Sequence, residues 1–345
     1  MIQNCTQLEG HLEKRLFSNR DLALISMMLG ENLGKEEAAC LTENVDIDTE
    51  SSLYLLSLGI LGFRFGWDAF PSWAIPRLKG LHRYYQVSSS AGAPWLQARL
   101  EILSAAGIPV TLTGGLAMRA FYATDVPRLT YGYEITVPSE DYDKALSLLR
   151  DSVREATSDF HDRTVKGHTK ITLRKGVPIG GLFKEKEFWE QARTVEFMGQ
   201  SVLVPCPEDM ALRLLCAYHG LGLVREQREE RDRRLYEAGF VLQAGKVDFK
   251  VLAEKARACG QESLAHYFLH VISKHASKVF SEVKWAPYFP VDKSYVSFLR
   301  NTIRLDEIIE QRDLRKKASL WNTFLMVYTR YQLARPARKA RRERK

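Results

Sequence analysis

The sequence predicts an α+β protein in which a small mixed-sheet core lies between two helical regions. Three observations carry this expectation. Apolar residues recur at helical spacing in the first and last thirds of the chain. Between them the period shortens to that of strands. Inside that stretch a β-branched run is followed at once by Gly114-Gly115 and then by helical spacing, a strand–turn–helix order. The expected divisions are an N-terminal helical region at 1–94, the core at 95–206, a C-terminal helical region at 207–335 and a flexible basic arm at 336–345.

The elements follow in order. Leu16–Leu29 and Ser52–Phe65 carry helical spacing, and the polar run ENVDIDTESS separates them. Pro71 and Pro76 interrupt the pattern, with Trp67 and Trp73 nearby. A helix begins at Trp95, with Leu96, Leu100 and Leu103 on one face and Gly107 as its stop. Ile108–Thr113 reads as a strand, Leu116–Tyr122 as a helix and Tyr131–Val137 as a second strand ended by Pro138. Ser139 is expected to cap a helix reaching about Val153, with Glu140, Asp141 and Asp143 in its first turn. Thr169–Arg174 alternates Ile171 and Leu173 with polar neighbours, as a half-buried strand does. Phe188–Arg193 reads as a short helix, and Thr194–Phe197 and Ser201–Val204 flank Met198-Gly199-Gln200 as a hairpin. Pro207-Glu208-Asp209 opens a helix towards His219-Gly220, and Asp248 is expected to cap a later one. Arg225–Arg234 balances five arginines with four acids, the pattern of a solvated helix rather than a one-signed phosphate stripe.

Composition narrows the function classes. With 45% hydrophobic and 27% charged residues, the chain has enough apolar material to offset folding entropy, which excludes a wholly disordered protein. The apolar stretch Leu53–Phe63 is broken by serine and glycine and falls short of the ~20 residues a bilayer requires, so no membrane association is expected. The five cysteines are scattered without a CxxC pair, which argues against a zinc knuckle or a disulfide framework. The N-terminal residues lack a signal-peptide pattern, and a reducing cytoplasm is the expected setting. The net charge of +8 concentrates in the arm, whose six basic residues and one acid leave only +3 for the remainder. Such an arm can hold a nucleic-acid backbone electrostatically. No GxxxxGK[ST], GxSxG or HExxH pattern occurs, so P-loop, α/β-hydrolase and common zinc-peptidase chemistries have no support.

One ordered set of segments is more specific. GIPVTLTGGLAMRAFY precedes Arg128, then come YGYEITVP, a helix, a strand and WEQARTVEFMGQSVLVPCPEDMALRLLCAYHG. This order resembles the uncharacterised bacterial nucleotidyltransferase family, within the DNA polymerase β-like nucleotidyltransferases. The positions that carry the resemblance include Gly107-Ile108-Pro109-Val110, Gly115, Tyr122, Arg128, Val137-Pro138, Pro207-Glu208-Asp209 and His219-Gly220. It extends over residues 80–260 and implies a nucleotidyltransferase-like core. It further implies transfer of a nucleoside monophosphate from an NTP to an acceptor, with two Mg²⁺ on three carboxylates. Such metals stabilise the attacking and leaving oxygens. Phosphate would rest on the turn Thr113, Gly114 and Gly115, with Arg128, Lys170 and Arg174 as cations nearby.

This chain departs from that pattern at the acids. The two that should precede Val137-Pro138 fall at Gly132 and Glu134, and the third falls near Thr172, followed by Arg174. Glu134 is therefore the one candidate catalytic and metal-binding residue, and one glutamate cannot hold two Mg²⁺. The neighbouring Asp125, Glu140, Asp141, Asp143, Asp159, His161 and Asp162 read as caps or loop residues. The expectation is a family protein with lost or impaired transfer that binds a nucleotide, a phosphate compound or a protein partner. The rival is an active, Mg²⁺-dependent enzyme with a rearranged site on Glu134. A third reading is a nucleic-acid-associated accessory protein that uses the basic arm.

Overall fold

A computed structural model describes residues 2–30, 34–43, 45–46, 50, 52–121, 133–149, 164–165, 169–178, 182–216, 228–244, 246–276 and 284–311. The helices in chain order are α1 (Ile2–Leu16), α2 (Asn19–Leu29), α3 (Lys35–Thr42), α4 (Ser52–Phe65), α5 (Ile75–Ala91), α6 (Ala93–Ala105), α7 (Gly114–Met118), α8 (Tyr142–Leu148), α9 (Glu185–Gln191), α10 (Pro207–Cys216), α11 (Arg228–Ala244), α12 (Phe249–Ala258), α13 (Glu262–His275) and α14 (Lys293–Gln311). The strands are β1 (Thr111–Thr113), β2 (Tyr133–Val137), β3 (Thr164–Val165), β4 (Thr169–Lys175), β5 (Arg193–Phe197) and β6 (Gln200–Val204). The protein is thus α+β, a mixed sheet with helical flanks. Among the described residues no helix is long and apolar enough to cross a membrane.

The chain divides into two compact units. One comprises Asp46–Met210 with Ala244–Lys246; the other comprises Met1–Val45, Ala211–Gln243 and Val247–Lys345.

The first unit contains the sheet, in the order β3-β4-β2-β1-β6-β5. β1 runs antiparallel to β2 and parallel to β6, and β2 runs parallel to β4. Strand side chains alternate between faces. One face is apolar: Leu112, Tyr133, Ile135, Val137, Leu173, Val202 and Val204 belong to one buried cluster with Leu96, Leu100 and Leu103 of α6. The leucine face expected for that helix is therefore its core face. Gly107 ends the helix at φ +71°, with Ile108 N–H donating to Leu103 O at 3.0 Å, which closes the last turn as a glycine stop does. The β5–β6 hairpin turns through Met198 at φ 54° and Gly199 at φ +72°. Two successive left-handed residues match the right-handed twist of the strands they join.

Several elements are shorter or shifted relative to expectation. α7 ends at Met118, and Tyr122 lies outside the described residues. α8 ends at Leu148 rather than near Val153. Ser139 does not cap α8. Asp141 N–H closes a turn on Pro138 O, so the helix starts at Tyr142 and only Asp143 of the three acids lies in its first turn. Ser139 instead turns to α9: its N–H and hydroxyl donate to the two Glu185 carboxylate oxygens, each at 2.7 Å. α9 starts at Glu185 rather than Phe188, with Glu185 and Glu187 placed favourably for its dipole.

In the second unit α1 packs on α14, and α13 contacts α2, α12 and α14. Its core includes polar pairs. The Tyr295 hydroxyl donates to Glu9 Oε1 at 2.8 Å, and the Tyr295 ring stacks on His266 at 3.9 Å. Trp285, fully buried, donates its indole N–H to Ser273 Oγ at 2.6 Å. Asp248 caps α12, accepting from Lys250 and Val251 N–H.

Candidate functional site

Strand register builds the site. Thr113 pairs with Glu134, Glu134 with Thr172, and Thr136 with Arg174. With side chains alternating, Thr111, Thr113, Glu134, Thr136, Thr172 and Arg174 stand on the face opposite the apolar cluster. Over these residues the sheet is thus apolar on one side and hydroxyl-rich on the other, where Glu134 and Arg174 also stand. Thr111, Thr113 and Thr136 are nonetheless fully buried. The Thr113 and Thr136 hydroxyls share a hydrogen bond at 3.3 Å. The buried Thr111 hydroxyl has no hydrogen-bond partner among the described residues.

Glu134 and Arg174 meet at the centre of this face. Arg174 Nε lies 3.1 Å from Glu134 Oε1, with side chains 29% and 19% exposed. The Nε–H is not aligned for a hydrogen bond, so the contact is ionic. The pair puts a fixed cation against the only carboxylate that the resemblance left at the site.

The glycine turn abuts the same carboxylate. Gly114 has φ +57°, and a Cβ there would lie 3.2 Å from Glu134 Oε2. Glycine is therefore required twice, by a left-handed backbone and by the close approach of an acid. Gly115 continues into α7, whose Leu116, Ala117 and Met118 are buried.

The structure thus brings together Thr113, Gly114, Gly115, Glu134 and Arg174. Lys170 lies in β4, paired with Thr164. Arg128 and Gly132 lie outside the described residues, as do Asp125, Asp159, His161, Asp162, His219 and Gly220. Two Mg²⁺ do not fit the residues described. Thr172, at the register position beside Glu134, offers a hydroxyl, and Arg174 already neutralises the one carboxylate. Among the described residues no three His, Cys, Asp or Glu side chains cluster so as to hold a metal ion.

A family model described as "Uncharacterised nucleotidyltransferase" matches residues 68–276, more than half of the chain. The chain belongs to this uncharacterised nucleotidyltransferase family. No curated protein and no solved structure matches it.

The nucleotidyltransferase match takes in α5, the whole sheet and the helices through α13. Two features, one at the site and one at the far end of β2 and β4, were not singled out from sequence. Thr136 is one, although its place two residues after Glu134 puts it on the same strand face. The other is the Ser139–Glu185 contact, reinforced by the Trp189 indole donating to Gly176 O at 2.8 Å. Gly176 has φ +72°, and a Cβ there would meet Ser139 Oγ at 2.5 Å. These contacts clamp the ends of β2 and β4 together. No local pattern signals them, because the partners are separated by 46 residues for Ser139–Glu185 and 13 for Trp189–Gly176.

Proposed function

We propose that this member of the nucleotidyltransferase family binds a nucleotide or another phosphate compound beside the Gly114-Gly115 turn without carrying out metal-dependent nucleotidyl transfer. The Glu134–Arg174 ion pair carries the reading. A guanidinium is a cation tethered to the sheet. Where it satisfies the one carboxylate, a divalent ion would have to displace it and would then find too few oxygen ligands. The same guanidinium is partly exposed and can meet a phosphate by charge-assisted hydrogen bonds. Family membership favours an NTP as the ligand. The five scattered thiols favour a reducing cytoplasm as the setting.

The test has two arms. The purified chain is incubated with labelled ATP, GTP, CTP or UTP and Mg²⁺ or Mn²⁺, and its thermal midpoint is recorded with each NTP in EDTA. The expected result is no transferred label and a raised midpoint with at least one NTP. Label transfer that disappears in Glu134→Gln would overturn the loss of chemistry. An unmoved midpoint with every NTP would overturn nucleotide binding.

A further inference from the structure

Outside the candidate site, the sheet-containing unit exposes aromatic rings on and around α4 and α5. Among its described residues the exposed aromatic side chains are Phe63 (45%), Trp73 (55%) and Tyr84 (56%), on α4, on the turn before α5 and on α5. Along α5, Arg77, Gly80, Tyr84 and Val87 are all exposed and fall at helical spacing on one face, with Trp73 one turn ahead. Arg83 is exposed on the flank of this face, while Lys79 stands further round the helix with its Nζ 5.7 Å from the Trp67 ring centroid. From residue 69 to 91 there is no acid at all. The face is therefore basic and aromatic together, unlike the sign-balanced Arg225–Arg234 run.

Gly80 sharpens the picture. It lies inside α5, where glycine costs about 1 kcal/mol relative to alanine. A Cβ at Gly80 would meet nothing within 4 Å, so packing does not require the glycine. What glycine supplies there is a bare stretch of helix between Arg77 and Tyr84, over which a ligand can come close to the backbone.

We infer that the α5 face, with Trp73, Arg77, Gly80, Arg83 and Tyr84, is a docking surface for single-stranded nucleic acid. Exposed rings separated along the face stack on unpaired bases, and interspersed cations track the phosphates. A protein partner fits less well, because the face offers separated rings and cations rather than a contiguous apolar seam. This surface is independent of the nucleotide-binding reading and of the arm at 336–345.

The experiment is fluorescence anisotropy with a labelled single-stranded RNA and a labelled single-stranded DNA, using the full chain and a variant lacking 336–345, at two salt concentrations. Binding is expected to survive loss of the arm. Trp73→Ala/Tyr84→Ala should weaken it about tenfold or more, in line with stacking energies of ~1–3 kcal/mol per base. Gly80→Glu should weaken it comparably and Gly80→Lys less, because both side chains cover the bare stretch but only glutamate adds repulsion of the phosphates; both are good helix formers, so each should keep the wild-type urea midpoint or exceed it. Binding that vanishes with the arm alone would overturn the inference. So would equal affinities for wild type, Gly80→Glu and Gly80→Lys, or equal binding of a blunt duplex.

Discussion

Removing the tethered cation is the most direct perturbation of the site. In Arg174→Met the methionine keeps the length of the stem and leaves Glu134 facing Thr113, Thr136 and Thr172 without its guanidinium. The magnitude follows from geometry. At 3.1 Å the bare attraction is about 5 kcal/mol at an effective dielectric of ~20. Solvent reaches both side chains, which are 29% and 19% exposed, and the pair was partly desolvated on folding. The net loss should be on the order of 1–3 kcal/mol. Glu134→Gln/Arg174→Met should cost less than Arg174→Met alone, because the negative charge that loses its guanidinium is removed with it. Urea unfolding followed by circular dichroism, on wild type, both single variants and the double variant, gives the coupling directly. A coupling below ~0.3 kcal/mol would refute the argument that the guanidinium satisfies this acid. Repeating the Arg174→Met titration with Mn²⁺ adds a second check. The midpoint should not move, since one carboxylate is too small a ligand set; a clear rise would show that a divalent site survives beneath the arginine.

Other predictions concern the frame around the site and the second unit. Gly114→Ala should lose about 1–3 kcal/mol in urea titration, because φ +57° is strained for alanine and the new methyl crowds Glu134. Asp248→Ala should cost about 1 kcal/mol through the two backbone N–H groups left uncapped at the start of α12. Glu13 governs part of the acid limb. Burial alone would raise its pKa, but the His275 imidazole at 3.4 Å and the Lys274 ammonium, which donates to it at 2.8 Å, outweigh that and bring it from 4.5 to about 2. Its contribution is therefore complete above pH 4.5 and is lost as the pH falls towards 2, so Glu13→Gln should flatten the stability profile in that window. His266 acts higher. Burial lowers its pKa from 6.5 to about 4, so the neutral ring stacked on Tyr295 favours the fold fully above pH 6.5 and progressively less down to pH 4. A stability profile flat from pH 6.5 to 4 would contradict that assignment.

What the sequence alone determined is what short-range geometry dictates. The α6 leucine face, the Gly107 stop, the Met198-Gly199 hairpin, the Pro207 helix start and the Asp248 cap each depend on residues within a turn or two, where period and φ preference decide the outcome. The missing acids at Gly132 and Thr172 were legible for the same reason, since they are identities at counted positions. Tertiary structure decided what faces what. Glu134 meets Arg174 because β2 and β4 pair in parallel across a 40-residue separation, and Ser139 leaves α8 uncapped because Glu185, far along the chain, competes for its hydroxyl. It also decided that residues 1–45 group with the C-terminal helices while 46–94 group with the sheet. Burial of apolar surface rewards whichever faces fit together, however distant in the chain, and local preference carries no record of that choice.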